Sequence, residues 1–365
     1  MIKPPPNVNG QPKSFTSVCA EDVIMRSKDW LWEGHLMRGT QELLSGIPGL
    51  GKSQVQCSFV ACVTTKLPWP NGEDSGPPAN VVMMTAEDTL DQEVVPRLKA
   101  AGADLSRVHF LKSIRSDGKD QQFLLGEDLD MLEKAVMQIG EVALVTIDPI
   151  TAYMGKIDSH KTTDVRSQLG PLKDFAERMN IAISTITHPP KSSSHNAIDH
   201  FIGSQAFIAA GRIGHLCSPE MEGDEDRVET GRVLFAHAKH NPSVRMPTLV
   251  FRKEGFELHG GSNSPWNIIK TVRVVWEGAV DITADEAVRA SNGKGGSDTT
   301  WARQKKVQAF LRDLLEDGKP VPQKIIQAEA EKRGFTYKQL DTAKRKIGVV
   351  STQTPEGWTW QLIAF

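Results

Sequence analysis

The chain has 365 residues, with 43 Lys and Arg against 45 Asp and Glu, a formal net charge of -2 and 39% hydrophobic residues. That is globular composition, long enough for a normal core in one large domain or two to three smaller ones; the near-zero charge excludes a surface basic throughout but not a local basic face. No apolar run approaches the roughly 20 residues that cross a bilayer, and the opening MIKPPPNVNGQPKSF has no apolar core of a secretory signal, so a cytoplasmic protein without a membrane partner is expected.

Residues 1–28 are rich in Pro, Asn, Gly and Ser and read as a flexible N-terminal arm. From 29 to 270 strands and helices alternate, which predicts one α/β domain with a mostly parallel sheet covered by helices. Residues 41–45 read as a short strand entering a Gly-rich turn, and 52–65 as a helix with a mostly apolar face. Residues 80–85 are the next strand, and 89–101 a helix interrupted near Pro96. A strand is expected at 108–112 and a helix at 129–139. The run Val142-Ala143-Leu144-Val145-Thr146-Ile147 is apolar throughout, as in a strand buried on both faces. Residues 169–179 read as helix and 181–187 as strand, followed by a helix at 205–210 and strands at 213–217 and 232–238. Residues 221–229 read as an acidic surface loop. Strands at 248–252 and 256–259, flanking Lys253-Glu254-Gly255, read as a hairpin.

Residues 271–298 read as a linker, ending in the Gly/Ser-rich 290–298. Beyond it, 299–365 holds twelve Lys or Arg against seven Asp or Glu. Helices at 301–316, 323–333 and 337–347, then a two-stranded element around Gly357, predict a small winged-helix-like domain. The cysteines Cys19, Cys57, Cys62 and Cys217 form no CxxC pair and read as buried small hydrophobes.

Gly46-Ile47-Pro48-Gly49-Leu50-Gly51-Lys52-Ser53 matches GxxxxGK[ST] in full, between a strand and a helix. Its glycines let backbone N–H groups turn inward around a phosphate, and the helix directs its positive end at the same group. Lys52 is expected on the β- and γ-phosphates of ATP and Ser53 on Mg²⁺, with Gln54 completing the binding stretch. Asp148 ends the apolar strand, where an acid faces the loop's mouth and can hold the Mg²⁺ water shell; a turn aspartate before Pro149 is the alternative. Glu87 ends another strand and is placed to polarise the attacking water. Asp88 competes for that role or caps the next helix.

These motifs, with Pro96-Arg97-Leu98, Thr187-His188, the stretch from Gly203-Ser204-Gln205 through Arg212, and Lys239-His240-Asn241, resemble the RecA-like ATPases of the DnaB/RepA replicative-helicase group, in particular the RepA-like AAA-family ATPases of phages, plasmids and integrated elements. The resemblance covers roughly residues 30–255. It implies a RecA-like P-loop core, Glu87 as catalytic glutamate, His188 as γ-phosphate sensor, Arg212 as an arginine finger and Lys239 as a second cation, the last two acting on a neighbouring subunit's site. It also implies a homo-oligomer, most often a hexamer, acting on single-stranded DNA with a primase or initiator protein as partner. His188 as a strand cap and Arg212 as a surface ion-pair residue are the bland alternatives, and His188-Pro189-Pro190-Lys191 departs from the family by its double proline.

Pore loops are expected at 155–164 and 190–202, where Lys191 and His195 are candidates for phosphate contacts. In the C-terminal domain the third helix, with Lys344, Arg345 and Lys346, is the second candidate for nucleic acid, protein docking being its competitor. A DNA translocase or helicase is the leading expectation and an ATP-switched DNA-binding regulator the alternative. A small-molecule kinase fits less well, because no acceptor-binding lid is visible.

Overall fold

The computed structural model describes residues 17–111, 113–116, 119–155, 161–190, 196–201, 205–222, 228–260, 268–292, 299–355 and 357–362. Residues 17–28 are exposed and carry one 3-10 turn, Ala20–Asp22. A small hairpin, β1 (Trp30–Trp32) and β2 (Leu36–Met37), leads into β3 (Gln41–Gly46) and α1 (Lys52–Thr65). Then come β4 (Asn80–Thr85), α2 (Val95–Ala101), β5 (Val108–Phe110) and a second hairpin, β6 (Ile114–Ser116) with β7 (Lys119–Gln121). The chain continues through α3 (Leu129–Ile139), β8 (Val142–Asp148), α4 (Thr162–Met179), β9 (Ala182–Ile186) and α5 (Gln205–Ala210). Four long strands follow, β10 (Ile213–Glu222), β11 (Val228–His240), β12 (Thr248–His259) and β13 (Ile268–Val280), and then α6 (Ala284–Ser291).

Nine strands form one sheet in the order β13-β12-β11-β10-β3-β9-β8-β4-β5. From β10 to β5 neighbours run parallel, and from β10 to β13 they run antiparallel. The expected α/β class with a mostly parallel sheet is what forms. Helices cover both faces. On one, α1, α2 and the β1–β2 hairpin bury Trp32, Phe59, Trp69, Phe235 and Phe251; on the other, α3 and α4 bury Phe123, Tyr153, Phe175 and Phe207. Each such side chain contributes about 1.5–3 kcal/mol through removal from water. The α1 helix has more than an apolar face: residues all around it are buried, Gln56 and Thr64 included.

Several expectations need correction. The helix expected at 169–179 begins at Thr162 and runs through Gly170-Pro171. Glycine and proline are both costly inside a helix, but Val165, Leu169, Leu172, Phe175 and Ala176 make one fully buried stripe, and its burial outweighs that local cost. The pore loop expected at 155–164 therefore gives its last residues to α4, and 156–160 lie outside the described residues. The break near Pro96 is a boundary: a wide π-type turn, Leu90–Val94, hands over to α2, whose first turn holds Pro96 where no N–H is needed.

The hairpin expected around Lys253-Glu254-Gly255 is not there. β12 runs unbroken through it, and Gly255 pairs with Val272. Its alternation of half-buried and exposed residues is that of one continuous strand, and the partner comes from 268–280, part of which read as linker. Within 271–298 the chain forms most of β13 and then α6. That helix is started by a full capping box between Thr283 and Glu286, and it buries Ala284, Ala287 and Val288. Residues 293–298 lie outside the described residues, as do 223–227 of the expected acidic loop. Cys57, Cys62 and Cys217 are buried, whereas Cys19 is exposed.

The C-terminal unit contains α7 (Thr299–Leu314), β14 (Val321–Pro322), α8 (Gln323–Lys332), α9 (Tyr337–Lys346), β15 (Val349–Thr354) and β16 (Gly357–Leu362). Its strands form a separate antiparallel sheet, β14-β16-β15. Its core, including Phe310, Leu311, Ile326, Leu340 and Trp360, is drawn from its own residues. Among the described residues no helix is long and apolar enough to cross a membrane.

Candidate nucleotide site

Strand register brings the predicted residues to one edge. Leu44 of β3 pairs with Ile186 of β9, Thr185 of β9 with Ile147 of β8, and Asp148 at the end of β8 with Thr85 of β4. The P-loop after Gly46, His188 after β9, Asp148, and Glu87 after β4 therefore leave the sheet at the same carboxyl edge, where open α/β sheets bind ligands. There they line one cavity of about 410 Å³ with Pro48, Gly49, Gly51, Ser53 and Gln54, within the size range of small-molecule sites.

Two glycines hold the loop's path. Gly46 has φ +150°, and a Cβ there would lie 2.6 Å from the Cys217 carbonyl oxygen on β10. Gly51, at φ +94°, is the residue from which α1 starts, and a Cβ there would meet the Lys253 side chain. The N-terminal N–H groups of α1 are thereby aimed into the cavity. Lys52 Nζ donates to the carbonyls of Gly46 at 2.6 Å and Ile47 at 3.1 Å. Burial pushes its pKa below the ordinary lysine value, opposed by Cys217, Asp148 and Glu87.

Ser53 Oγ donates to Asp148 Oδ2 at 2.6 Å. Burial raises the Asp148 carboxyl to about 6; the Ser53 hydrogen bond and Lys52 oppose this, and Asp88 and Glu87 add to it. A hydroxyl and a partly buried carboxylate meeting at the first turn of α1 are a hard oxygen donor set, the kind Mg²⁺ takes.

Among the other groups, Asp88 forms an ion pair with Arg97, which also reaches Glu93 at 3.6 Å. Asp88 therefore neither caps the following helix nor faces the cavity uncompensated. Glu87 is exposed and makes no ion pair among the described residues. Burial and the Lys52 charge push His188 below the ordinary imidazole value, with Glu87 opposing. Its Nδ1 is buried and has no hydrogen-bond partner among the described residues.

Arg97, Lys253, Gly255 and Val272 also line the cavity. Lys253 Nζ donates to the Gly49 carbonyl. The sequence reading missed Lys253 because it assigned that residue to a turn, and the strand that brings it onto the P-loop becomes visible only through its pairing with β13. Nothing in the sequence around Arg97 marks it for the cavity, since its place there depends on how α2 packs.

Other expected residues lie elsewhere. Ile213 pairs with Glu42 and Cys217 with Gly46, so Arg212 stands at the amino edge of the sheet, about 17 Å of strand from the P-loop at ~3.3 Å per residue. It is exposed. Lys239 sits beside it, half-buried, and donates to the Ile208 carbonyl. The structure thus does not bring Arg212 and Lys239 to their own chain's cavity. Lys191 and His195 lie outside the described residues. Lys344 donates to Ser351 Oγ at 2.6 Å and lies 4.6 Å from the Trp360 ring centroid, Arg345 pairs with Asp341, and the Lys346 side chain lies outside the described ones.

No curated protein matches the chain. A family model described as AAA domain matches residues 12–194, half of the chain, from ahead of the β1–β2 hairpin to just past His188. Since that stretch carries the P-loop, Glu87, Asp148 and His188 onto a single sheet edge, the chain belongs to the AAA domain family and its core is a P-loop ATPase domain.

Proposed function

We propose that this ATPase assembles into a ring, most simply a hexamer, and moves along single-stranded DNA as a translocase or helicase in replication of a mobile element. The observation that carries the reading is the division of the charged groups. Lys52, Ser53, Asp148, Glu87 and His188 belong to one cavity, while the exposed Arg212 and neighbouring Lys239 stand at the far edge of the same sheet. A cation so placed is out of reach of its own chain's cavity but can serve another chain's site, and a finger supplied that way makes hydrolysis depend on assembly.

ATP enters over the N-terminus of α1. Lys52 exchanges its loop carbonyls for the β- and γ-phosphate oxygens. Ser53 and Asp148 would hold Mg²⁺, which would supply positive charge to the phosphoryl group in transfer. Glu87, exposed and without an ion pair among the described residues, orients the attacking water and accepts its proton. Neutral His188 presents a donor or acceptor to the γ-phosphate and reports its loss to the following loop. The winged-helix reading of the C-terminal unit fits its three helices and three-stranded sheet, and Trp358, 49% exposed on β16, offers an aromatic face outward.

Mixing variants tests the division. Lys52→Ala and Arg212→Ala are each expected to lose at least about 100-fold in ATPase rate, given the worth of a finger cation. Their mixture regains activity, because an intact Lys52 cavity then meets an intact Arg212. A mixture as inactive as its parts overturns the shared site. Hydrolysis that rises with single-stranded DNA, and a mass that rises with nucleotide, support the motor. The C-terminal unit keeps a second reading alive, an ATP-switched DNA-binding regulator; nucleotide-dependent DNA binding without strand separation selects it.

A further inference from the structure

Beneath the β1–β2 hairpin, on the face that carries α1, three buried histidines from three elements converge. His35 comes from the hairpin's turn, His215 from β10 and His237 from β11, where His215 and His237 pair directly. Their nearest ring nitrogens all lie within 4.8 Å of one another. His35 Nδ1 is 3.0 Å from His215 Nε2 and 3.2 Å from His237 Nε2. A ring nitrogen offers either one N–H or one lone pair, so His35 Nδ1 cannot satisfy both neighbours with protons alone. His237 Nδ1, also buried, has no hydrogen-bond partner among the described residues.

We propose that His35 Nδ1, His215 Nε2 and His237 Nε2 bind a zinc ion that fastens the N-terminal hairpin to the sheet. Nitrogens on a tetrahedral zinc at about 2.0–2.1 Å stand about 3.4 Å apart, so the two separations from His35 Nδ1 need to open by a few tenths of an ångström, and the third, within 4.8 Å, needs to settle to the same value. The surroundings orient the ligands. His215 Nδ1 lies 2.8 Å from Glu42 Oε1, and the other Glu42 oxygen accepts from Ser184 Oγ at 2.7 Å. An ionised carboxylate behind a histidine holds the proton on Nδ1 and turns the Nε2 lone pair toward a metal, the state that a bound cation favours for the buried Glu42. Trp32 stacks on His35 at 3.9 Å and Phe235 on His215 at 4.1 Å, which fixes both ring planes. An all-imidazole set suits zinc, copper, nickel or iron, and zinc has neither redox chemistry nor a d-electron geometry of its own; three histidines leave its fourth position to water, an open set unlike the closed four-ligand set of most structural zincs.

The post bears on the nucleotide cavity through β10. Two residues beyond His215, Cys217 packs against Gly46 so closely that a Cβ on that glycine would meet it at 2.6 Å. Fixing β10 to the hairpin therefore also fixes the wall of the P-loop.

The test uses the full chain, grown with zinc, desalted and analysed for metal. The wild type carries a single zinc per chain. His215→Ala and His237→Ala lose it, while His259→Ala, on an exposed stretch of β12, and Ser53→Ala, at the Mg²⁺ position, retain it. Cobalt added to stripped wild type gives visible d–d bands that zinc displaces, and zinc raises the melting temperature of stripped wild type but not of His237→Ala. Should the histidine variants fail to fold, the cobalt spectrum and the wild-type melting shift decide. A wild type with no zinc, no cobalt bands and no shift overturns the proposal. So does zinc that stays in folded His215→Ala and His237→Ala, that leaves with Ser53→Ala, or that is replaced by another metal in the purified chain.

Discussion

Asp148, proposed as the Mg²⁺-binding acid, has a buried carboxyl that costs the fold stability at neutral pH. Its folded-state pKa, about 6, lies above the ordinary 3.8, with burial as the largest cause. Between those values the native chain holds a proton that the unfolded chain has released, so this group's contribution to stability falls as pH rises through that window. Asp148→Asn removes the buried charge and still offers Ser53 an oxygen. It is expected to stabilise the nucleotide-free protein by ~1 kcal/mol at pH 7.5 relative to wild type, with the gap closing by pH 4. Denaturant unfolding of both proteins at the two pH values checks this, and an unchanged gap refutes it. The same variant abolishes Mg²⁺-dependent hydrolysis. For Glu87→Gln the expectation differs: turnover falls by ~100-fold or more, the usual worth of a general base, while nucleotide binding stays within a few-fold, as read by a fluorescent nucleotide.

At the level of elements, local signals and tertiary pairing decided different things. The strand Asn80–Thr85 and the helices Lys52–Thr65 and Leu129–Ile139 have the bounds that their apolar patterns indicate. β12 and β13 do not, because a glycine in a charged triplet reads as a turn until the partner strand is known. α6 was lost in what read as a linker, although Thr283 and Glu286 carry its start signal in the sequence. Thr283 Oγ1 accepts from the Glu286 N–H at 3.1 Å, and Glu286 Oε2 accepts from the Thr283 N–H at 2.8 Å. Thr283→Ala is expected to cost about 1 kcal/mol, seen as a lower denaturation midpoint with an unchanged slope. An unchanged midpoint would mean that packing on β10 holds this helix without its cap.

Across the whole molecule, the large sheet and the C-terminal unit have separate cores. Calorimetry is therefore expected to resolve two transitions. Trp360→Ala empties the centre of the smaller core, where the ring is 1% exposed, and costs about 3–5 kcal/mol, comparable with the full stability of so small a unit. It removes only the smaller transition and leaves ATPase activity without DNA unchanged. Loss of both transitions together would show that the two units unfold as one.

The sequence by itself determined the P-loop, the strand ending at Asp148, Glu87 at the end of its strand, and the α/β class, because backbone chemistry and hydrophobic period are local properties. Tertiary structure alone decided that these groups share an edge, since strand order is a long-range choice that no short motif encodes. It alone brought Lys253 onto the P-loop and gathered His35, His215 and His237 at one point, joining residues far apart in the chain through pairing and burial. It also left Arg212 at the far edge, turning a lone arginine into a residue that has no use for its own chain's cavity.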